Sequence, residues 1–316
     1  MRKLILLITF IPIFCSAQAN KFIRQGLRAS TPQEKIALFN QAILIDSKNL
    51  DAHFYRGLEK FNLEDYNAAI LDFTKVIFYK PDADSYYNRA NAKFNLEDYK
   101  GALDDYTKAT EIDPELIDAY YNLGRTKFYL EDYQGAITDL TRVLKFFPSD
   151  ASAYTLRAQC YMALKNYKEA FKNFRYSILI NKNDNAYYKR GIALLDVKYF
   201  KESKSDFLKV IKLNKNNIPA YFYLAASHLF LGEYAPAIST FNVSIANDSL
   251  DFDAHLGLAI SYLKSNNLEQ AKKHFLKAKN ILLITNSVKI EDFKNSYWYQ
   301  NHYFYFNQVC SELIKL

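Results

Sequence analysis

The sequence predicts an all-α protein of stacked helix–turn–helix units, because one pattern recurs along most of its 316 residues. The tetrapeptide Leu-Glu-Asp-Tyr occurs at residues 63–66, 96–99 and 130–133, in steps of 33 and 34 residues. Three prolines follow the same steps: Pro81, Pro114 and Pro148. This period is the length of two short helices with their turns.

The unit that begins at Ala83 shows why its residues form two helices. Tyr86 and Ala90 lie four positions apart on one helical face, where a small residue lets a neighbouring helix approach and the ring fills the space beside it. After the turn, one face of the second helix carries Ala102, Tyr106 and Ala109. Proline disfavours helix in the residue before it, so the second helix is predicted to end near Pro114.

Seven units of this kind are predicted over residues 50–285. They begin near Leu50, Ala83, Ile117, Ala151, Asp184, Ile218 and Phe252. The small residue of each first helix is Gly57, Ala90, Gly124, Ala158, Gly191, Ala225 and Ala259. The alanine that opens each second helix recurs too, with Ser203 in its place in the fifth unit.

In its period and in these positions, the chain resembles the tetratricopeptide repeat family. The resemblance implies an α-solenoid, a right-handed superhelix of helix pairs, whose concave face binds proteins or peptides. In that family the concave face is built from the stripe of each first helix that here includes Tyr87 and Asn91. The first positions of the same stripe in other units include Asp118, Ser152, Pro219 and Asp253.

A ladder of aromatic residues follows this stripe and predicts a binding groove. The expected groove residues are Phe54, Tyr87, Asn88, Asn91, Tyr121, Asn122, Arg125, Tyr188 and Phe222. Packing between repeats is the alternative role for the rings. The first half of the predicted groove mixes rings with amides, whereas the second half is nearly aliphatic.

Asn91 and Asn122 match asparagines that hold a peptide backbone or terminal carboxylate in the peptide-clamping members of the family. The basic partners of those members are absent, because Tyr87, Ser152 and Leu156 stand in their places. A carboxylate clamp is therefore not expected. The amides are expected to bind the backbone of an extended peptide, and the rings its side chains.

Residues 1–17 have the three parts of a secretory signal peptide: a basic start, an apolar run too short to span a bilayer, and small residues before a cleavage site. We expect cleavage after Ala17, with Ala19 as the alternative. Lipidation at Cys15 is less favoured, because the bulky Phe14 precedes it. The predicted location is the periplasm or cell envelope, with secretion as a further option.

The two ends of the repeat array are predicted to differ from its middle. Residues 18–49 resemble a divergent first repeat, in which Thr31 caps the second helix and Pro32 starts it. Residues 286–316 are predicted to form an aromatic helix that caps the last repeat. Rings surround that helix, so a partner, a second copy or a membrane interface is an additional possibility.

Charge is distributed unevenly along the predicted mature chain. Residues 18–150 have 17 basic and 21 acidic side chains, a net charge of −4, whereas residues 151–316 have 22 and 13, a net charge of +9. A basic half could attract an acidic protein, an anionic glycan or a phospholipid surface. The favoured interpretation is that its lysines solvate the outer helix faces.

No catalytic motif, cofactor motif or metal-ligand pair is recognisable in the sequence. His53 and His255 occupy the aromatic packing position of their units and are interpreted as core rings. Asp104 and Asp105, like the Glu-Asp of each tetrapeptide, are interpreted as turn and helix-start residues. Cys160 and Cys310 are predicted to be buried thiols too far apart for a disulfide.

These observations predict an exported, non-enzymatic scaffold that binds a protein or peptide in its groove, with no cofactor and no nucleic-acid partner. One alternative is a structural envelope protein that self-associates through the C-terminal helix. The other is a glycan-binding accessory protein, since aromatic ladders also stack on sugars.

Overall fold

The computed structural model describes residues 16–283 and 288–316, and the regular elements in them are helices. The chain divides into two compact units, with the boundary between Asn166 and Tyr167. The first unit contains α1 (residues 16–26), α2 (Pro32–Ile45), α3 (Leu50–Asn62), α4 (Tyr66–Tyr79), α5 (Ala83–Asn95), α6 (Tyr99–Ile112), α7 (Ile117–Tyr129), α8 (Tyr133–Phe146) and α9 (Ala151–Ala163). The second contains α10 (Tyr167–Ile180), α11 (Asp184–Asp196), α12 (Phe200–Leu213), α13 (Ile218–Phe230), α14 (Tyr234–Asn247), α15 (Phe252–Lys264), α16 (Leu268–Ile281), a 3-10 turn (Ile290–Phe293) and α17 (Tyr297–Leu313).

Within each unit, consecutive helices pack in pairs and each pair packs on the next. The architecture is an all-α stack of paired helices. The first helices of the seven repeats begin at the residues where the sequence period places the repeat starts: Leu50, Ala83, Ile117, Ala151, Asp184, Ile218 and Phe252.

The Glu-Asp of the recurring tetrapeptide forms the turn within a repeat, as predicted. Glu97 has φ 61°, a left-handed conformation that reverses the chain after a helix. Asp98 then caps α6 by accepting a hydrogen bond from the Gly101 N–H at 3.0 Å. Glu64 and Glu131 have the same positive φ in their repeats. This turn fixes where each second helix begins.

The small residues predicted at helix contacts are buried. Ala90 and Ala102 are fully buried, and Tyr106 is 1% exposed beside them. A Cβ at Gly124 would lie 3.1 Å from Leu140 Cγ and 3.3 Å from the Ala136 carbonyl oxygen. A side chain larger than hydrogen at position 124 therefore has no room at this contact unless its neighbours move.

Asp104 and Asp105 both lie within α6, so neither is a turn or helix-start residue, and this part of the sequence interpretation is wrong. Asp105 is 3% exposed and accepts two hydrogen bonds of 2.7 Å from the Arg89 guanidinium of α5. A buried carboxylate needs such a partner. The same bridge joins the two helices of other repeats through Arg56 with Asp72 and Arg190 with Asp206.

The predicted divergent first repeat is helical. Thr31 accepts a hydrogen bond from the Glu34 N–H and Pro32 starts α2, as the sequence predicts. Phe39 and Ala42 of α2 pack with Ala19 and Ile23 of α1. Residues 1–15 of the predicted signal peptide lie outside the described residues, and its expected cleavage site falls within α1. Export therefore stays a prediction.

The C-terminal helix α17 begins at Tyr297, later than the predicted start at residue 286, and contacts α15 and α16. Trp298 and Phe306 are fully buried, and the Trp298 ring contacts Phe230 of α13 and Phe241 of α14, whereas Phe304 is 89% exposed. The Trp298 indole N–H donates to the Asp253 carbonyl oxygen at 2.8 Å. None of the helices in the described part of the chain is both long and apolar enough to cross a membrane.

Cys160 and Cys310 are free, fully buried thiols, as predicted, and lie in different units. Burial raises the pKa of each thiol to about 12, so neither is a reactive thiolate. The Nδ1 atom of His53 lies 3.0 Å from Asp72 Oδ1, and that of His255 lies 3.1 Å from His274 Nδ1. Both histidines take part in contacts within a repeat.

Candidate functional site: two equivalent pockets

The first unit carries a pocket of about 320 Å³ on the face of its first helices, here called the first pocket. Helices α5, α7 and α8 and the start of α9 form its walls. Three predicted groove residues and three further polar side chains line it: Tyr87, Tyr121, Asn122, Asp118, Asp150 and Ser152. Apolar side chains of Ile117, Val143 and Phe147 complete the lining.

A hydrogen-bonded network connects the predicted asparagines to each other. Asn122 Nδ2 donates to Asn91 Oδ1 and to the Tyr87 hydroxyl, both at 3.2 Å. The buried Tyr106 hydroxyl donates to Asn91 Oδ1 at 2.5 Å. Asn91 therefore joins α5 to α6 and α7, while Asn122 joins α7 to α5 and also lines the pocket.

Three other predicted groove residues lie outside the lining of the first pocket. The ring of Phe54 packs on Phe73, with centroids 5.9 Å apart. Asn88 Nδ2 donates to the Asp84 carbonyl oxygen at 2.8 Å. The Arg125 guanidinium lies 4.1 Å from the centroid of the Phe94 ring. Each has a contact within the stack that accounts for its position.

The second unit carries a corresponding pocket of about 420 Å³, here called the second pocket. Helices α11, α13 and α14, the start of α15 and the start of α17 surround it. Its lining includes two predicted groove residues, Tyr188 and Phe222, and two rings that sequence reasoning missed, Tyr223 and Tyr297. Three carboxylates also line it: Asp248, Asp251 and Asp253.

The four rings of the second pocket contact one another. The Tyr297 ring centroid lies 5.1 Å from that of Phe222 and 5.7 Å from that of Tyr223. The ring centroids of Tyr188 and Tyr223 lie 5.8 Å apart. The Tyr297 hydroxyl lies 2.9 Å from His302 Nε2, so this residue contributes its ring to the pocket wall.

The carboxylates of the second pocket are held in place by backbone donors. Asp251 caps α15 by accepting from the Ala254 N–H at 2.9 Å, and Asp253 Oδ1 accepts from the Tyr297 N–H at 2.8 Å. Burial raises the pKa of Asp253 to about 7, and the neighbouring Asp251 adds to the rise. Burial also raises the pKa of Asp251.

Ser244 gives the second pocket a buried polar group with an unused hydrogen-bonding capacity. The residue is 2% exposed, and its Oγ has no hydrogen-bond partner in the described part of the chain. Ser244 nonetheless lines the pocket. Most buried hydroxyls in proteins are hydrogen-bonded, so an unpaired one at a pocket wall needs an explanation.

The two pockets use equivalent positions, three repeats apart. Adding 101 to the number of any residue that lines the first pocket gives a residue that lines the second, as for Tyr87 and Tyr188 or Asp150 and Asp251. Tyr297 is the addition from α17. Sequence reasoning had placed Asp118, Ser152, Pro219 and Asp253 on the stripe without a role, and it missed Asp150, Asp248, Asp251 and Ser244. The acidic residue recurring just before a first helix was the available signal.

A third cleft, of about 600 Å³, lies on α10, α11 and α12 of the second unit. Its basic lining residues are Lys168, Lys172, Arg175 and Arg190. Arg190 is bound to Asp206, and Lys172 lies 3.4 Å from Glu169. Acidic partners therefore balance part of this basic surface.

Within residues 16–283 and 288–316, no three His, Cys, Asp or Glu side chains are grouped so that they could hold a metal ion. Three models of the tetratricopeptide repeat family match residues 83–116, 121–186 and 185–217. No curated protein matches the chain.

Solved structures with a similar fold include a tetratricopeptide repeat protein from Parabacteroides merdae ATCC 43184, with 18% identity and a TM-score of 0.60 over 78% of this chain and 96% of that one. Another is in the APC/C hetero-tetramer Cut9–Hcn1, with 16% identity and a TM-score of 0.59 over 90% of this chain and 52% of that one. A third is YrrB, described as a tetratricopeptide repeat protein with an unusual peptide-binding site, with 24% identity and a TM-score of 0.50 over 57% of this chain and 93% of that one.

These likenesses are below 25% identity and show the fold alone. The family models match residues within 83–217, which include most of the lining of the first pocket and Tyr188 of the second, and the helix pairs recur with the same period before and after these residues. The chain belongs to the tetratricopeptide repeat family.

Proposed function

We propose that this protein is an exported, non-enzymatic scaffold that binds a protein or peptide at the pockets of its two units. The observation that carries the proposal is their equivalence: four predicted groove rings line them in pairs, Tyr87 with Tyr121 and Tyr188 with Phe222. Each pocket suits one side chain of an extended segment, whose backbone lies along the first helices of that unit.

An affinity pull-down from an envelope extract, with bound proteins identified by mass spectrometry, tests this proposal. The variant Tyr87→Ala with Tyr121→Ala removes two rings of the first pocket. Phe146→Ala and Phe147→Ala form a matched pair, because both rings are 52% exposed and, of the two, Phe147 alone lines this pocket. We expect partner capture to fall with the double variant and Phe147→Ala but not with Phe146→Ala. Equal capture by all variants would contradict a site in this pocket.

Export is the second part of the proposal and rests on the predicted signal peptide, residues 1–17. Intact mass measurement of the protein purified from its native cell, combined with fractionation, tests it. We expect a mature chain that begins at Gln18 in the envelope or medium fraction. A full-length chain confined to the cytoplasm would contradict export.

Self-association through α17 is a second candidate function, favoured by the exposure of Phe304 (89%) and Tyr303 (39%). Their ring centroids lie 5.8 Å apart, so together they form a small apolar surface. Light scattering of the wild type beside Phe304→Glu separates this candidate from the scaffold. A dimer that the substitution dissociates would support self-association.

A further inference from the structure

We propose that the second pocket binds the cationic end of a lysine or arginine side chain supplied by the captured protein. This inference rests on the proposed scaffold function and specifies the chemistry of its ligand. Charge is the first argument for it. Asp248, Asp251 and Asp253 line the pocket, and no lysine or arginine is among its described lining residues, although residues 151–316 as a whole have a net charge of +9. The pocket is thus an acidic site in a basic half.

The rings supply the second argument. Tyr188, Phe222, Tyr223 and Tyr297 present aromatic surface around the same space as the carboxylates. Aromatic faces attract an alkylammonium or guanidinium group and also accommodate its apolar stem. A compact hydrated metal ion would not use the apolar part of this lining. A volume of about 420 Å³ suits one long side chain.

The unpaired Ser244 hydroxyl supplies the third argument. It lies buried at the wall of the pocket with no partner in the described residues. A bound ammonium or guanidinium has several N–H donors, and one of them can satisfy the Ser244 oxygen while others meet the carboxylates. In the first pocket the equivalent residue is Val143, which needs no partner.

Backbone groups rather than basic side chains hold two of the carboxylates. Asp251 and Asp253 are held by backbone N–H donors and have no basic side chain among their hydrogen-bond partners in the described part of the chain. Burial raises the pKa values of both carboxyl groups, which shows that their charge is poorly compensated in the free protein. A cationic ligand would supply the missing compensation.

Trp298 allows binding at this pocket to be measured directly. It is the chain's single tryptophan, and its ring centroid lies 5.3 Å from that of Tyr297 and 5.9 Å from that of Phe222. The full mature chain would be titrated with four acetylated, amidated peptides that differ at one central residue: lysine, arginine, norleucine or glutamate. Tryptophan fluorescence and the anisotropy of a dye on each peptide would be recorded together.

We expect the lysine and arginine peptides to bind at least tenfold more tightly than the norleucine peptide and to change Trp298 fluorescence. Equal affinity for lysine and norleucine, or no binding of the lysine peptide, would overturn the inference. Binding of the peptides without charge preference would leave the scaffold function standing. Failure of the scaffold function would be seen separately, in the pull-down, where the pocket variants would capture as much partner as the wild type does.

Two further additions to the titration identify the source of the cation. n-Butylamine that binds as tightly as the lysine peptide would overturn the assignment to a protein side chain in favour of a free amine. Calcium chloride that displaces the lysine peptide at equal concentration and unchanged ionic strength would overturn the preference for an organic cation. We expect neither compound to compete at the concentration at which the lysine peptide saturates.

Charge-removing variants complete the test. Asp251→Asn keeps an oxygen to cap α15, and Asp253→Asn keeps one for the Tyr297 N–H, so both preserve the local structure. The matched control Asp150→Asn changes the equivalent cap of the first pocket. We expect the pair of second-pocket substitutions to weaken lysine-peptide binding at least tenfold and the control to leave it within twofold. The exposed Asp248→Asn provides a second charge-removing variant should the pair not fold. Unchanged affinity in folded variants would contradict the proposal.

Discussion

The two pockets share a frame, meaning the equivalent helices and repeat positions that form and support their walls, but they differ in chemistry. Both have an aspartate that caps the next first helix, Asp150 or Asp251, and an isoleucine at the start of a first helix, Ile117 or Ile218. Tyr87 and Tyr188 are also equivalent, and Tyr121 and Phe222 are both rings. The second pocket differs at the five remaining positions, where it has Pro219 for Asp118, Tyr223 for Asn122, Ser244 for Val143, Asp248 for Phe147 and Asp253 for Ser152. The repeat therefore determines where a pocket forms, and single substitutions within the repeat determine what it can bind.

The difference extends to the helices behind the pockets. Behind the first pocket, Asn91, Tyr106 and Asn122 form a hydrogen-bonded network. The residues 101 positions later are Ile192, Phe207 and Tyr223, and the rings of Phe207 and Tyr223 stack with centroids 5.5 Å apart. One frame is thus held by polar contacts and the other by apolar ones. The second pocket also depends on α17, which has no counterpart at the first.

The largest expected effect concerns this dependence on α17. Trp298→Ala removes a fully buried ring and its hydrogen bond to the Asp253 carbonyl, and we expect it to lower the free energy of unfolding by about 3–5 kcal/mol. Urea denaturation measures the change. Phe304→Ala, on the exposed side of the same helix, is the control and should cost less than about 0.5 kcal/mol. A small effect of Trp298→Ala would mean that α17 does not hold the second pocket.

The next effect tests the part of the frame that both pockets share. Gly124 and its equivalent Ala225 lie at tight contacts between helices, and leucine at either position should cost roughly 1–3 kcal/mol by overpacking. The same cost is expected for Ala90→Leu. Melting temperatures measured for the three variants provide the test. An unchanged melting temperature for all three would contradict the repeat alignment.

The third prediction exchanges the polar frame for the apolar one. Asn91→Ile alone leaves the buried Tyr106 hydroxyl without its acceptor, and we expect a cost of about 1–3 kcal/mol. Adding Tyr106→Phe reproduces the pair Ile192 and Phe207 of the second unit and should recover most of that loss. A double-mutant cycle by urea denaturation measures the coupling. Additive losses would show that the two frames are not interchangeable.

The fourth prediction is a pH dependence that the second pocket should show and the first should not. Asp253 has a pKa of about 7, with Asp251, Tyr223 and Tyr297 facing it, whereas the first pocket has Ser152 at this position. A bound cation favours the ionised carboxylate, so protonation of Asp253 below pH 7 must weaken binding. We expect the dissociation constant of the lysine peptide to fall up to about tenfold between pH 6 and pH 8. Asp253→Asn should abolish this dependence, and its persistence in that variant would contradict the assignment.

The same carboxylate affects stability with a defined sign. Its pKa in the folded protein is raised above the ordinary value of 3.8 for an aspartate, so the folded state binds this proton more tightly than the unfolded state does. The contribution of Asp253 to stability is therefore most favourable at low pH and is lost as pH rises toward 7. A bound cation would offset that loss.

Much of the fold could be predicted from the sequence because the repeat constrains it locally. The period located the first helices, and the tetrapeptide located the turns at Glu97 and Asp98. Asp105 was misassigned because periodicity does not reveal which of two adjacent acidic residues faces inward. The recurrence of an arginine 16 positions earlier, as in Arg89, was the overlooked signal.

The candidate site was predicted only in part, because its residues come from several elements. The rings follow the first-helix stripe, and Tyr87, Tyr121, Tyr188 and Phe222 do line the pockets. Asp150 and Asp251 belong to the connections between repeats, which a helical-face argument does not cover. Tyr297 reaches Asp253 across 44 positions of sequence, a contact that depends on how α17 folds back onto α15.

Site-specific photo-crosslinking tests most directly whether the first and second pockets bind the partner. A photoreactive phenylalanine analogue would replace Phe147 of the first pocket or Asp248, its equivalent in the second, and Phe146 would serve as the neighbouring control. Phe146 and Phe147 are equally exposed, at 52%, and Phe146 lines a different cleft. We predict crosslinks to one captured protein from positions 147 and 248 and none from position 146. Crosslinks from position 146 with none from the pocket positions would place the binding surface elsewhere and contradict the account.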